Sequence, residues 1–105
     1  MAKIRLTQKE KKIEKFLLDT GFRPDLTGFE LLRECIYIAS TDKSKYRKNI
    51  LTVLLEEVNT KLGKNTSIKT TQMSLKRLAG YCSNERYKKL GPKSLIFSLL
   101  AEMGY

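Results

Sequence analysis

The sequence predicts an all-α single domain of five or six helices, and three observations carry that prediction. Apolar residues recur at three- and four-residue spacing, helix-start and helix-stop residues bracket the periodic segments, and strand signals are nearly absent. Only the run Ile36, Tyr37, Ile38 combines β-favouring residues, and it lies inside a helical period. A chain of 105 residues is long enough for one core and too short for two ordinary ones, so residues 1–105 are read as a single domain. With 41% hydrophobic and 30% charged residues, the composition is that of a folded domain rather than a disordered tail.

The first helix opens at "TQKE", where Thr7 and Glu10 have the spacing of a capping box, each side chain satisfying the other residue's backbone N–H. Ile13, Phe16 and Leu17 form its apolar stripe. Gly21 ends it, with Pro24 shortly after. A second capping box is expected at "TGFE" from Thr27 and Glu30, with Leu26 and Leu31 as a hydrophobic staple. The stripe that follows, including Phe29, Leu32, Cys35, Ile36 and Ala39, is wide enough for a helix at the centre of a small core. The polar "STDKSK" closes it.

The third helix, "NILTVLLEEVNTKLG", aligns Ile50, Leu54, Val58 and Leu62 and stops at Gly63. The fourth lies in "KNTSIKTTQMSLKRLAGYCS". "SNERYKKLGP" reads as a loop that can hold a short helical turn, and Pro92 takes the first position of a last helix, "PKSLIFSLLAEMGY". Leu95, Ile96, Leu99, Leu100 and Met103 are its expected buried stripe, and Phe16, Phe29 and Phe97 are assigned to the core.

No apolar run approaches the roughly 20 residues that span a bilayer, and "MAKIRLTQKEKK" lacks the apolar stretch of a signal peptide. A cytoplasmic location and no membrane partner are expected. Cys35 and Cys82 sit at helix-spaced apolar positions, which predicts buried reduced thiols. No metal and no cofactor are expected. The chain contains no His and no phosphate-binding glycine loop, and its two cysteines lack a sequence partner that would activate them. Glu56 and Glu57 are adjacent and point about 100° apart on a helix, a poor arrangement for paired-carboxylate chemistry. An enzyme is therefore the least expected class.

The net charge of +10 is unevenly placed: residues 43–93 hold thirteen basic and three acidic side chains, whereas residues 1–42 hold eight and seven. Concentrated positive charge is what a polyanion-binding surface requires, since neutralised phosphates release condensed counterions. On a helical wheel of residues 68–83, Ile68, Thr71, Leu75, Leu78, Ala79 and Cys82 share one side. Thr70, Met73, Lys76, Arg77 and Gly80 share the other, with Lys69 and Gln72 on one flank and Ser74 and Tyr81 on the opposite flank.

The outer set mixes donors for phosphates and bases with a methionine suited to a thymine methyl and a glycine that permits close approach. Together with the preceding helix and its Gly-containing turn, it has the ingredients of a helix-turn-helix over about residues 49–83. Lys69, Gln72, Met73, Lys76 and Arg77 are the expected contacts to bases or nearby phosphates. Lys43, Lys45, Arg47, Lys48, Lys64, Thr66, Ser67, Thr70, Arg86, Lys88 and Lys89 are the expected backbone contacts; the hydroxyls can alternatively cap the helix. Loss of Arg77 is expected to reduce discrimination between operator and random DNA, equal losses on both placing it among the phosphate contacts instead.

The block "LLDTGFRPDLTGFELLRECIYIA", residues 17–39, resembles the DNA-binding effector domain of the stage-zero sporulation protein A family. Gly21, Gly28, Phe29, Leu32, Arg33, Glu34 and Ile36 stand where that family's pattern places them, and "GPKSLIFSLLAEM" is similar to its closing helix. The resemblance spans about residues 7–103. The chain departs from the family in the fourth helix, where "TQMSLKR" puts Gln72 and Met73 in place of a Glu-Arg pair. Its preceding turn is longer, and the segment before the last helix is shorter. The resemblance implies a six-helix fold with a recognition helix in the major groove, copies arranged as a homodimer or in tandem on DNA, and contact with RNA polymerase. It leaves no room for a phosphoacceptor receiver domain, and the starting Met1 favours a free-standing relative over an excised domain.

The leading expectation is thus a sequence-specific double-stranded DNA-binding transcription regulator. The alternatives are an RNA-binding or ribosome-associated module, for which Tyr46, Tyr81 and Tyr87 are scattered stacking candidates, and a small adaptor or inhibitor whose basic face meets an acidic protein.

Overall fold

The computed structural model describes residues 7–41 and 50–105 and contains six helices: α1 (Gln8–Thr20), α2 (Thr27–Thr41), α3 (Ile50–Leu62), α4 (Ile68–Gly80), α5 (Glu85–Lys88) and α6 (Pro92–Glu102). No strand occurs among the described residues. The expected all-α architecture is therefore present, and "SNERYKKLGP" contains its short helix. No helix among the described residues is long and apolar enough to cross a membrane.

The helix ends follow local chemistry. Thr7 and Glu10 form the capping box, with both N–H to oxygen distances at 3.1 Å. Gly21 adopts φ 112°, and this left-handed turn lets its own N–H and that of Phe22 reach carbonyls in the last turn of α1. Pro92 opens α6 as expected. The second capping box does not form. Thr27 is itself the first helical residue of α2, so its hydroxyl stands too far along to cap, and Glu30 turns instead to Lys64 at 2.9 Å. Leu26 still packs against the core beside the buried Leu31.

α2 is the central helix, touching α1, α3, α4 and α6. Leu32, Cys35 and Ile36 are inaccessible to solvent, and the two cysteines are buried and unlinked. Burial pushes the Cys35 and Cys82 thiols up from their ordinary range, which keeps them protonated and unreactive. Two ring assignments change. Phe97 is 40% exposed, because α6 turns Leu95, Ile96, Leu99 and Leu100 inward instead, while Phe16, partly buried, packs against the core as expected. Tyr87, expected at the surface, is 3% exposed and lies 5.8 Å from the Phe22 ring.

A buried ionic cluster ties the first three helices together. The Glu34 carboxylate is inaccessible and receives Arg33 Nε at 2.8 Å and the Lys61 ammonium of α3. Arg33 continues to Glu14 at 3.1 Å, and Lys61 to Glu10 at 3.3 Å, while Lys61 also lies 4.2 Å from the Tyr37 ring centroid. Three carboxylates thus meet two cations. Burial pushes the Glu34 carboxyl up, helped by its hydrogen bond to Glu10 and opposed by Lys61 and Arg33. Burial also acts to raise Glu10, but hydrogen bonds from Glu34, the Thr7 N–H and Lys61 outweigh it and hold Glu10 at about 2.

The two carboxyls act on stability with opposite signs. Glu10, whose folded pKa lies below its unfolded 4.5, contributes stability that is present above 4.5 and lost as pH falls toward 2. Glu34, raised in the folded state, contributes in the other direction as pH rises. Denaturant unfolding measured from pH 5 down to pH 2 should therefore show a loss of stability, and Glu10→Gln should flatten this acid limb.

Candidate nucleic-acid interface

α4 begins at a serine cap. Ser67 Oγ accepts the Thr70 N–H at 3.2 Å and shares a 2.9 Å hydrogen bond with the Thr70 hydroxyl. Just inside, the buried Thr71 hydroxyl meets the Asn59 side chain of α3, whose Nδ2 donates to it at 3.0 Å. Thr66 adds a 3.5 Å contact to the same hydroxyl, and its carbonyl accepts from Asn59 Nδ2 at 3.4 Å. This polar knot sets the path of residues 63–67 between α3 and α4. Sequence periodicity places Thr71 inward but gives no sign of Asn59 as its partner, because a buried Asn is recognisable only once its partner is known.

The inward side of α4 is Thr71, Leu75, Leu78 and Ala79, followed by Cys82, all buried, with Ile68 partly so. Turning the helix to bury Met73 instead would expose Leu75 and Leu78, each worth roughly 1.5–3 kcal/mol of burial. The outward face is fixed by that difference. Met73 on this face is 62% exposed, and Lys69, Lys76, Arg77 and Gly80 are also exposed, while Gln72 is half-buried. No described carboxylate forms an ion pair with Lys69, Lys76 or Arg77, so their charges are available to an external anion. A Cβ built on Gly80 meets nothing within 4 Å, so its openness serves no internal packing.

The helix is held at this height by Gly28 of α2. A Cβ there would stand 2.5 Å from the Ser74 carbonyl oxygen and 3.0 Å from Leu78 Cβ, so α2 and α4 meet at backbone distance. The other end is tied down where the Ser83 N–H donates to the Gly21 carbonyl at 3.1 Å.

The expected backbone contacts divide. Lys89 is exposed and unpaired, whereas Lys88 faces Glu85 at 3.4 Å, Arg86 pairs with Glu102 at 2.6 Å and Lys64 pairs with Glu30. Lys64 thus serves the α2–α3 end of the fold. Ser67 and Thr70 are used by the cap and Thr66 by the knot. Lys43, Lys45, Arg47 and Lys48 lie outside the described residues, as does Tyr46. With Tyr87 buried, Tyr81 remains the exposed ring of the described pair, so no stacking platform is assembled there. Among the described residues, no group of three or more His, Cys, Asp and Glu is placed to hold a metal ion.

Scans against protein-family models, curated proteins and solved structures each returned no match.

Gly28→Ala should force α4 away from α2 and cost about 1–3 kcal/mol in denaturant unfolding, the range of an overpacked core site. Thr27→Ala, one residue away but uncapped and exposed, should change stability by less than about 0.5 kcal/mol.

Proposed function

We propose that this chain is a sequence-specific double-stranded DNA-binding transcription regulator, a helix-turn-helix protein that inserts α4 into the major groove. One observation carries the reading: a buried apolar row fixes α4 so that unpaired Lys69, Lys76 and Arg77 share its outward face with exposed Met73 and open Gly80. Free cations supply the phosphate attraction, the methionine suits a thymine methyl, and a bare backbone lets the helix approach the bases. Lys69, Gln72, Met73 and Lys76 read bases or adjacent phosphates, and Lys88 and Lys89 extend the backbone contacts.

The resemblance to the sporulation effector domains supports the same reading and adds copies in tandem or as a homodimer on DNA and RNA polymerase as partners, in a cytoplasmic setting. No residue is assigned to the polymerase. The departure at Gln72 and Met73 means that the preferred sequence is this chain's own.

Selection of bound duplexes from a random pool at near-physiological salt should recover a motif; a pool that stays random, or binding of duplex RNA in preference to DNA, would contradict the proposal. Gly80→Ala should leave the free protein as stable or up to about 1 kcal/mol more stable, since Ala is the better helix residue, yet weaken binding to the recovered motif. Lys88→Ala should weaken motif and random duplexes alike and reduce the salt slope by about one.

A further inference from the structure

We propose that Arg23, Tyr81 and Arg77 form a phosphate clamp at the far end of α4, so that the link between α1 and α2 belongs to the DNA-binding surface. The inference rests on the DNA-binding reading and extends it to two residues, Arg23 and Tyr81, that the basic helix alone does not include.

The Arg23 and Arg77 guanidinium carbons lie 5.8 and 5.9 Å from the centroid of the same Tyr81 ring, which is 51% exposed. Two like charges are thus gathered at one aromatic side chain on the surface. Among the described residues, Asp25 is the one carboxylate that pairs with Arg23, through Nε at 3.2 Å and Nη2 at 2.8 Å, and none pairs with Arg77, although Asp25 borders the same small recess as Ser74 and Arg77. One positive charge is left over, and the remaining N–H groups of both guanidiniums are unassigned. A fork whose one edge is fixed by a carboxylate presents its other edge in a defined direction, which suits a phosphate oxygen.

The position fits a phosphate better than a base. Arg77 lies about 12 Å along the helix from Lys69 at 1.5 Å per residue, comparable to the width of the major groove of about 12 Å. A helix that reads bases through its first turns therefore brings its last turn to the groove's edge, where the backbone lies. Arg23 comes to the same place because Ser83 donates to the Gly21 carbonyl, which pins the end of α1 beside the end of α4.

Fluorescence anisotropy with the selected duplex and a scrambled duplex, over a series of salt concentrations, tests the clamp. Arg23→Ala should weaken both duplexes by a similar factor of about 3 to 10 and lower the salt slope by about one, with thermal unfolding unchanged because the side chain is exposed. Tyr81→Phe should retain binding and Tyr81→Ala should lose it to a similar extent. Asp25→Asn should tighten binding to both duplexes, an outcome that a purely structural loop would not give. If wild type binds its motif while Arg23→Ala leaves affinity and slope unchanged, the clamp is wrong and α4 acts without it. If Arg77→Ala lowers affinity for the motif alone, Arg77 reads a base and the clamp is again overturned. If wild type binds no duplex, the DNA-binding reading itself fails and takes the clamp with it.

Discussion

Everything at the candidate surface depends on the absence of a side chain at Gly28. Because nothing stands between the α2 backbone and the Ser74 carbonyl, α4 lies against α2 at backbone distance, and Leu75 and Leu78 reach the bottom of the core. A larger residue would lift α4, and the whole outward row would move with it. The Asn59–Thr71 knot fixes the entry to the helix, and the Ser83–Gly21 hydrogen bond fixes its exit. A helix constrained at both ends and in the middle is a rigid display, which is what precise contact with a groove needs.

The ionic cluster around Glu34 has a different task. It joins α1, α2 and α3 through Arg33 and Lys61. Buried ion pairs contribute little net stability compared with apolar packing, yet removing one partner is costly, so such a cluster penalises any alternative arrangement of these helices. Lys61 is consumed here and Lys64 by Glu30, so the basic excess of the second half of the chain is not all available outside. Among the described residues of that half, what remains outside is concentrated on α4 and the segment after it.

Much of this was legible in the sequence. Thr7 with Glu10, Gly21, Gly63 and Pro92 are local signals whose physics involves only neighbouring residues, and the helices they predict are present. The inward row of α4 follows from period alone. Misreadings arose where distant residues decide the outcome. Thr27 has the residue type and spacing of a cap, but Glu30 finds a stronger partner in Lys64 across the fold. Phe97 sits in an apolar helix, and only the packing of α6 shows which side is turned out; Tyr87 is the reverse case, drawn in by Phe22. Asn59 and Arg23 gave no sequence signal because their roles exist only through Thr71 and Tyr81.

The outward face of α4 is proposed to meet duplex DNA. This contact is tested most directly by following backbone amide chemical shifts while the protein is titrated with a duplex selected from a random pool. The largest changes should fall between Ser67 and Cys82, with a second set at residues 22–26 and smaller ones near Lys88 and Lys89. Changes centred on α1 or α6, with α4 undisturbed, would contradict it.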